Sequence, residues 1–351
     1  MRMWRNILLC TTLMLLCLLA GCERRPLVDP DSSAIFRVRL MTDSIPNVTC
    51  HIYNDKIERP NISTDVMRVL VYDPASKELL SQGFILNKDR DTQGYEVISG
   101  NMKLSHGDYQ ILSYNFDIPN TFIDNEGSSQ TIRAYTSEIS QYHYACLESR
   151  ADDFDHIYYE PDHLFVARNM NVRIDPHLGV RVIEADARPI IDTYYIQIRV
   201  RGVEYIATNT AASAVLTGLA PSNLLGPNIR NEEDASALYF ELQKSVDERQ
   251  RSSENEVLCA VFNTFGKIPD APSNLTITLQ VVTRDGKIHQ KEVDMSPIFA
   301  SDDARERHWL LIDEVWELPK PIDPPTDNVG GGFKPELDDW THTDEYVPIK
   351  P

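Results

Sequence analysis

The sequence predicts an all-β protein: two tandem antiparallel β-sandwich domains followed by a flexible C-terminal tail. Three observations predict it. The chain has 351 residues, more than the roughly 150 of an ordinary domain, and 42% hydrophobic residues supply a core. Short runs of period-two alternation recur between turn residues from Ile35 to Glu317, the pattern of half-buried strands. Between Ile35 and Asn115 no helical period separates these runs, which argues for strands packed on strands.

Residues 1–21 read as a lipoprotein signal peptide. Arg2 and Arg5 form a basic start, and Ile7 to Leu19 an apolar run. That run is shorter than the ~20 residues of a membrane span and suits a secretory h-region. It ends in Leu19-Ala20-Gly21-Cys22, a lipobox. Small residues let a peptidase reach the bond between Gly21 and Cys22, and the Cys22 thiol takes the lipid as a thioether. The signal cleavage site is therefore Gly21 and Cys22, with lipidation at Cys22. Covalent lipid on Cys22, with palmitate-type acyl chains, is the only non-protein group expected. Several chains hold far better than one. No other stretch is apolar enough to cross a membrane, so a body tethered to outer-membrane lipid is expected. Residues 22–33, with Pro26 and Pro30, form the tether.

Residues 34–118 are expected to form the N-terminal domain. Ile35 to Leu40 alternates apolar and basic residues, and Val48 to Tyr53 is a second candidate strand. Met67 to Tyr72 follows and stops at Asp73-Pro74, a turn signal. Leu79 to Leu86, Tyr95 to Ile98 and Met102 to Leu104 come next. Gly107 to Asn115 is the clearest strand of this half: Tyr109, Ile111 and Ser113 face one way, Gln110, Leu112 and Tyr114 the other.

Residues 119–163 read as a connecting insert. Asn120, Asn125, Gly127, Ser128 and Ser129 mark a loop, Thr136 to Leu147 a short helix, and Asp152 to Asp162 an acidic stretch. Residues 164–319 are expected to form the C-terminal domain. Its strands are Leu164 to Ala167, Val180 to Glu184, Thr193 to Val200, Ala214 to Leu219, Leu238 to Leu242 and Val257 to Phe262. Leu275 to Val282 and Lys287 to Val293 flank Asp285-Gly286, the strongest hairpin signal in the chain. Pro297 to Arg307 has room for a helical turn, and His308 to Glu317 is the last strand.

Residues 320–351 form a Pro/Gly-rich acidic tail. Prolines stiffen it and Gly330-Gly331-Gly332 hinges it. Its apolar beads, above all Phe333, Leu337 and Trp340, make it the candidate docking segment. Such a segment adds to a sheet through backbone hydrogen bonds and side-chain pockets.

The chemistry available is narrow. With 34 Lys+Arg against 53 Asp+Glu the net charge is −19. Phosphate backbones are repelled by such a surface, so no nucleic-acid partner is expected. Asp152, Asp153, Asp155, His156, Glu160, Asp162 and His163 are oxygen-rich enough to suggest a hard cation. Their spacing does not fit an EF-hand loop, and His156 and His163 lie seven apart, so no metal site is expected. G-x-S-x-G, the P-loop, G-x-G-x-x-G, CxxC and HExxH are all missing, and no catalytic residue or enzyme activity is expected. Cys10 and Cys17 leave with the signal. Cys50, Cys146 and Cys259 remain, too far apart for a disulfide framework, and are expected to be buried thiols. Tyr142, Tyr144, Tyr158 and Tyr159 lie close together in sequence and suit either packing or stacking on a sugar.

Several strings point to a family. They are Cys22-Glu23-Arg24-Arg25-Pro26-Leu27, Ile45-Pro46-Asn47-Val48-Thr49-Cys50, and Pro161-Asp162-His163-Leu164-Phe165-Val166-Ala167-Arg168. Two more are Ala260-Val261-Phe262-Asn263-Thr264-Phe265-Gly266 and Gly330-Gly331-Gly332-Phe333. Together they resemble a family of Bacteroides-type lipoproteins of unassigned function, related to the fimbrillins and their anchor subunits. The resemblance implies two sandwiches of transthyretin-like, fimbrillin-type topology, export as a lipoprotein, and other fimbrillin-like subunits as partners. It also implies that some members lose a first strand to an arginine-specific protease. Arg37 and Arg39 are the positions for such a cut here.

The expected role is that of a lipid-anchored surface protein, a fimbrial anchor or accessory subunit acting through β-strand addition and contributing to adhesion. The expected location is the outer membrane, facing the cell surface. The alternative is a glycan-binding surface lipoprotein.

Overall fold

A strand that is apolar on both faces has to be covered on both. In Gly107–Asn115, Tyr109 and Ile111 on one face and Leu112 and Tyr114 on the other are all buried. Each pair enters a different hydrophobic core, so this strand lies between two layers. The computed structural model describes residues 32–42, 62–139, 156–175, 180–207, 211–232, 235–245, 256–268 and 275–322.

These residues form β1 (Ser32–Leu40), β2 (Met67–Tyr72), β3 (Leu79–Ile85), β4 (Asn87–Arg90), β5 (Glu96–Leu104), β6 (Gly107–Asn115), β7 (Thr121–Asp124) and β8 (Arg133–Thr136). Then come β9 (Ile157–Tyr158), β10 (Phe165–Ile174), β11 (Arg181–Pro189), β12 (Asp192–Arg201), β13 (Ala212–Leu219), β14 (Ser222–Leu224) and β15 (Ile229–Arg230). The series closes with β16 (Ser236–Glu241), β17 (Gln243–Ser245), β18 (Val257–Thr264), β19 (Thr276–Val282), β20 (Ile288–Asp294), the helices α1 (Ser296–Phe299) and α2 (Asp302–Arg307), and β21 (Trp309–Glu317). The all-β class read from the sequence is the class observed.

The first sheet has eight strands in the order β3-β2-β6-β10-β11-β1-β5-β4. Its two edge strands are consecutive in sequence, separated only by Leu86. The segment 79–90 thus pairs with β2 through its first half and with β5 through its second. The sheet folds over on itself around Phe36, Val38, Val69, Val71, Ile98 and Ile111. β1 is an interior strand, parallel to β11 and antiparallel to β5.

A second body sandwiches β17-β18-β12-β21 against β20-β19-β13-β16-β9. Ile196, Ile198, Leu216, Phe240, Phe262 and Ile312 fill the space between. The predicted hairpin is present: β19 pairs with β20, and Gly286 takes the left-handed φ of +77° that its turn requires. Two short helices replace the single turn expected before β21. Ser301 caps α2 by accepting the Ala304 N–H, with Asp302 and Asp303 in its first turn and Arg305 and Arg307 in its last.

A small sheet, β15-β14-β8-β7, joins the two bodies. Ile132 and Ala134 of its β8 segment and Leu225, just after its β14, meet Leu70, Leu112 and Tyr114 of the first sheet, and Phe265 of the second body joins them. Between these layers Arg68 holds Glu126.

Four expectations need correction. The strands placed after a boundary at residue 163 do not open the second body: β10 and β11 hydrogen-bond into the first sheet. Phe165, Ala167, Ile174 and Ile183 are buried in its core. The insert at 119–163 is no simple connector, since β7 and β8 form half of the joining sheet. The helix expected from Thr136 is not formed over 136–139, where Thr136 ends β8 and the Ile139 N–H bonds the Ile157 carbonyl at 2.8 Å. The first strand also begins three residues early, inside the expected tether, at Ser32 rather than Ile35. The strand expected at Val48 to Tyr53 lies outside the described residues.

Candidate functional site

Most of the residues singled out from the sequence lie outside the described part of the chain: Gly21, Cys22, Phe333, Leu337, Trp340, Tyr142, Tyr144, Cys50, Cys146, Asp152, Asp153 and Asp155. Cys259, in β18, is half-buried. No helix among the described residues is long and apolar enough to cross a membrane.

The described members of the acidic stretch diverge. His156 Nδ1 lies 3.1 Å from Glu138 Oε1. Glu160 Oε2 accepts the Asn263 N–H at 3.0 Å. Asp162 accepts the Asn120 N–H at 2.6 Å. The His163 carbonyl accepts from the Asn115 amide at 3.0 Å. Each group serves a different neighbour, and among the described residues no three His, Cys, Asp or Glu side chains gather as a metal site would. Burial lowers the His163 pKa, against the opposing charge of Asp162. Burial raises the Glu160 carboxyl to about 7, with the Asn263 N–H opposing.

A cleft of about 470 Å³ opens beside this stretch, where the end of β8 meets β9 and the start of β14. Backbone bonds hold its rim: Tyr159 N–H to the Ser137 carbonyl at 3.1 Å and Asn231 N–H to the Ser222 carbonyl at 2.9 Å. Tyr135 pairs across the ladder with Ser222 on one side and Phe122 on the other. Period-two alternation puts Arg133 and Tyr135 on the outer face and buries Ala134. The Arg133 guanidinium lies 5.0 Å from the Tyr135 ring centroid and 2.6 Å from Asp124 Oδ2. The Asp124 hydrogen bond raises the Arg133 pKa, against the effect of burial. Phe122, 46% exposed, extends the aromatic surface, its ring 5.8 Å from that of Tyr135.

Of the four tyrosines noted in the sequence, Tyr158 lines this cleft, while Tyr159 lines a smaller neighbouring one with Pro161 and Phe265. Sequence reading missed Tyr135, Arg133 and Asn231. The only local signal was the alternation at Arg133-Ala134-Tyr135-Thr136, hidden inside a segment that reads as loop.

Arg37 and Arg39, the candidate cleavage positions, sit on the outer face of the interior strand β1. Arg37 pairs with Glu184 at 3.2 Å, and Arg39 with Asp186 at 2.8 Å and Asp91 at 3.4 Å.

Among the described residues the second body contributes two long edge strands. β21 pairs only with β12, and β20 only with β19. After β21 the chain stays close: Leu318 N–H bonds the Arg201 carbonyl, and the Ile322 N–H reaches Asp285 Oδ2 at 3.3 Å.

Comparison with known proteins places the chain. A family model described as a domain of unknown function, DUF5119, matches residues 22–241. A curated relative from Bacteroides ovatus, named as a proposed fimbrium anchoring subunit, Fim4B, is 22% identical over 281 residues. That alignment covers 72% of this chain and 78% of the relative. The crystal structure of a proposed adhesin from Bacteroides ovatus superposes with a TM-score of 0.55 at 18% identity. It covers 87% of this chain and 99% of that one, and shows a shared fold.

Proposed function

The chain belongs to the DUF5119 family, and on that premise we propose that it is a fimbrial anchor or accessory subunit that contributes to adhesion at the cell surface. The similarity to a proposed fimbrium anchoring subunit carries this reading. Lipid on Cys22 holds the body to the outer membrane, and the lipobox supports that attachment. Other fimbrillin-like subunits are the partners. The names of the relatives are those of fimbrial and adhesive proteins, which supports a structural role rather than a catalytic one.

Assembly proceeds by β-strand addition in this proposal. An edge strand with an unpaired side is a template for another chain. β21 offers nine residues on such an edge among the described residues. The tail carrying Phe333, Leu337 and Trp340 begins next to it and is the segment that docks on a neighbouring subunit.

Co-purification from solubilised outer membrane tests the role. The parent chain is expected to bring down fimbrillin-like subunits in stoichiometric amount. Deleting residues 323–351 is expected to abolish that recovery while the body stays folded, because Leu318 and Ile322 keep their contacts. Cys22→Ala is expected to release the protein from the membrane. Full recovery of partners after the tail deletion would sink strand addition through the tail, and recovery of no fimbrial protein by the parent chain would sink the assembly role.

A further inference from the structure

The cleft between β8 and β9 has chemistry that an assembly role does not use. Its volume of about 470 Å³ lies within the ~300–1,000 Å³ of small-molecule sites. Two tyrosine rings, Tyr135 and Tyr158, line it. Phe122 adds an exposed ring at the Tyr135 end. Aromatic faces in a solvent-accessible cleft suit a flat, partly apolar partner.

The polar groups narrow the class of that partner. Arg133 is neutralised by Asp124 at 2.6 Å, and His156 is matched with Glu138 at 3.1 Å. The cleft therefore holds no surplus positive charge for a phosphate or sulfate, and the chain around it carries −19. What remains is a set of paired donors and acceptors: the Arg133 N–H groups, the Glu138 carboxylate and the Asn231 amide. An uncharged ligand with many hydroxyls and a flat C–H face satisfies both requirements.

We propose that this cleft is a binding site for a neutral saccharide, in which Tyr135 and Tyr158 stack on sugar rings while Arg133, Glu138 and Asn231 bond the hydroxyls. The site is distinct from the tail and from the β21 edge, so the proposal stands or falls apart from the assembly role. The rim hydrogen bonds of β8, β9 and β14 hold the two tyrosines on rigid strands, which lowers the ordering cost of binding.

Titration calorimetry of the full chain in a sugar-free detergent tests it, with maltohexaose, cellohexaose, mannohexaose and xylohexaose as probes. Saturable binding of at least one is expected. Tyr135→Ala and Tyr158→Ala should each weaken it by about tenfold or more, at an unchanged melting temperature. Tyr135→Phe and Tyr158→Phe keep the ring face and should retain most of the affinity. Should an alanine variant fold poorly, Glu138→Gln and Asn231→Ala provide the same readout from the polar side of the cleft. Binding of none of the four probes, or binding indifferent to all of these substitutions, would overturn the proposal.

Discussion

The Arg68 guanidinium grips both carboxylate oxygens of Glu126, at 2.9 and 2.6 Å, in the layer between the first sheet and the joining sheet. The Tyr114 hydroxyl donates to the same carboxylate, and the Tyr72 hydroxyl to the Glu126 carbonyl. Burial alone would raise the Glu126 pKa, but the hydrogen bonds from Arg68 and Tyr114 hold it below its ordinary value. A turn 58 residues from Arg68 is thereby fixed to β2 and β6.

Removing one partner of this pair leaves the other half-buried and unmatched. Glu126→Ala is expected to cost about 2–4 kcal/mol, less than the loss from a fully buried pair because both groups keep some solvent. Tyr114→Phe should cost about 1 kcal/mol, the worth of one hydrogen bond. Urea denaturation curves measure both, and a Glu126→Ala midpoint equal to that of the parent would refute the role given to the pair.

Glu160 sets a pH dependence. Its folded pKa of about 7 exceeds the ordinary 4.5. Between those values the folded chain holds a proton that the unfolded chain has released, so folding gains as pH falls through this window. The contribution is fully present below the ordinary value and lost as pH rises to the folded one. Glu160→Gln, which keeps an oxygen for the Asn263 N–H, should therefore stabilise the protein at pH 8 more than at pH 5. Thermal melts at the two values decide this, and an equal effect at both would contradict it.

Gly226 approaches the Ser129 carbonyl so closely that a Cβ would lie 1.7 Å from the oxygen. Backbone on both sides leaves no flexible atom to give way. Gly226→Ala should cost about 1–3 kcal/mol or more by forcing the β14–β15 turn away from the β7–β8 turn. A melting temperature unchanged from the parent would argue against that contact.

Cleavage after Arg37 or Arg39 should not occur in the folded protein. Both lie on β1, paired on its two sides with β5 and β11, and Phe36, Val38 and Leu40 anchor it in the core. Trypsin digestion followed by intact-mass measurement should show these two cuts only under denaturing conditions. Their appearance under native conditions would mean that β1 detaches.

Local pattern made much of this protein legible. Met67 to Tyr72 and Gly107 to Asn115 alternate or carry β-branched and aromatic residues bounded by turn residues, and both strands occupy those bounds. Asp285-Gly286 specified its hairpin because a positive φ is cheap only for glycine. Signals of this kind act over a few residues and survive without knowledge of the rest of the chain. The loop residues around Asn125 and Gly127 concealed β7 and β8, and the strand that pairs with β8 on its other side, β14, lies far along the chain.

The sequence by itself determined the β class, the turns and the acidic charge, since each depends on composition or on neighbours in the chain. Tertiary structure alone decided which strands share a sheet. Period two states which face of a strand is apolar but not what covers it. Phe165, Ile174 and Ile183 therefore read as the opening of a second domain, yet bury themselves in the first. The same long-range pairing brings Tyr135, Tyr158 and Asn231 to one cleft, because burial of the strands beneath them, rather than any local spacing, sets their distance apart.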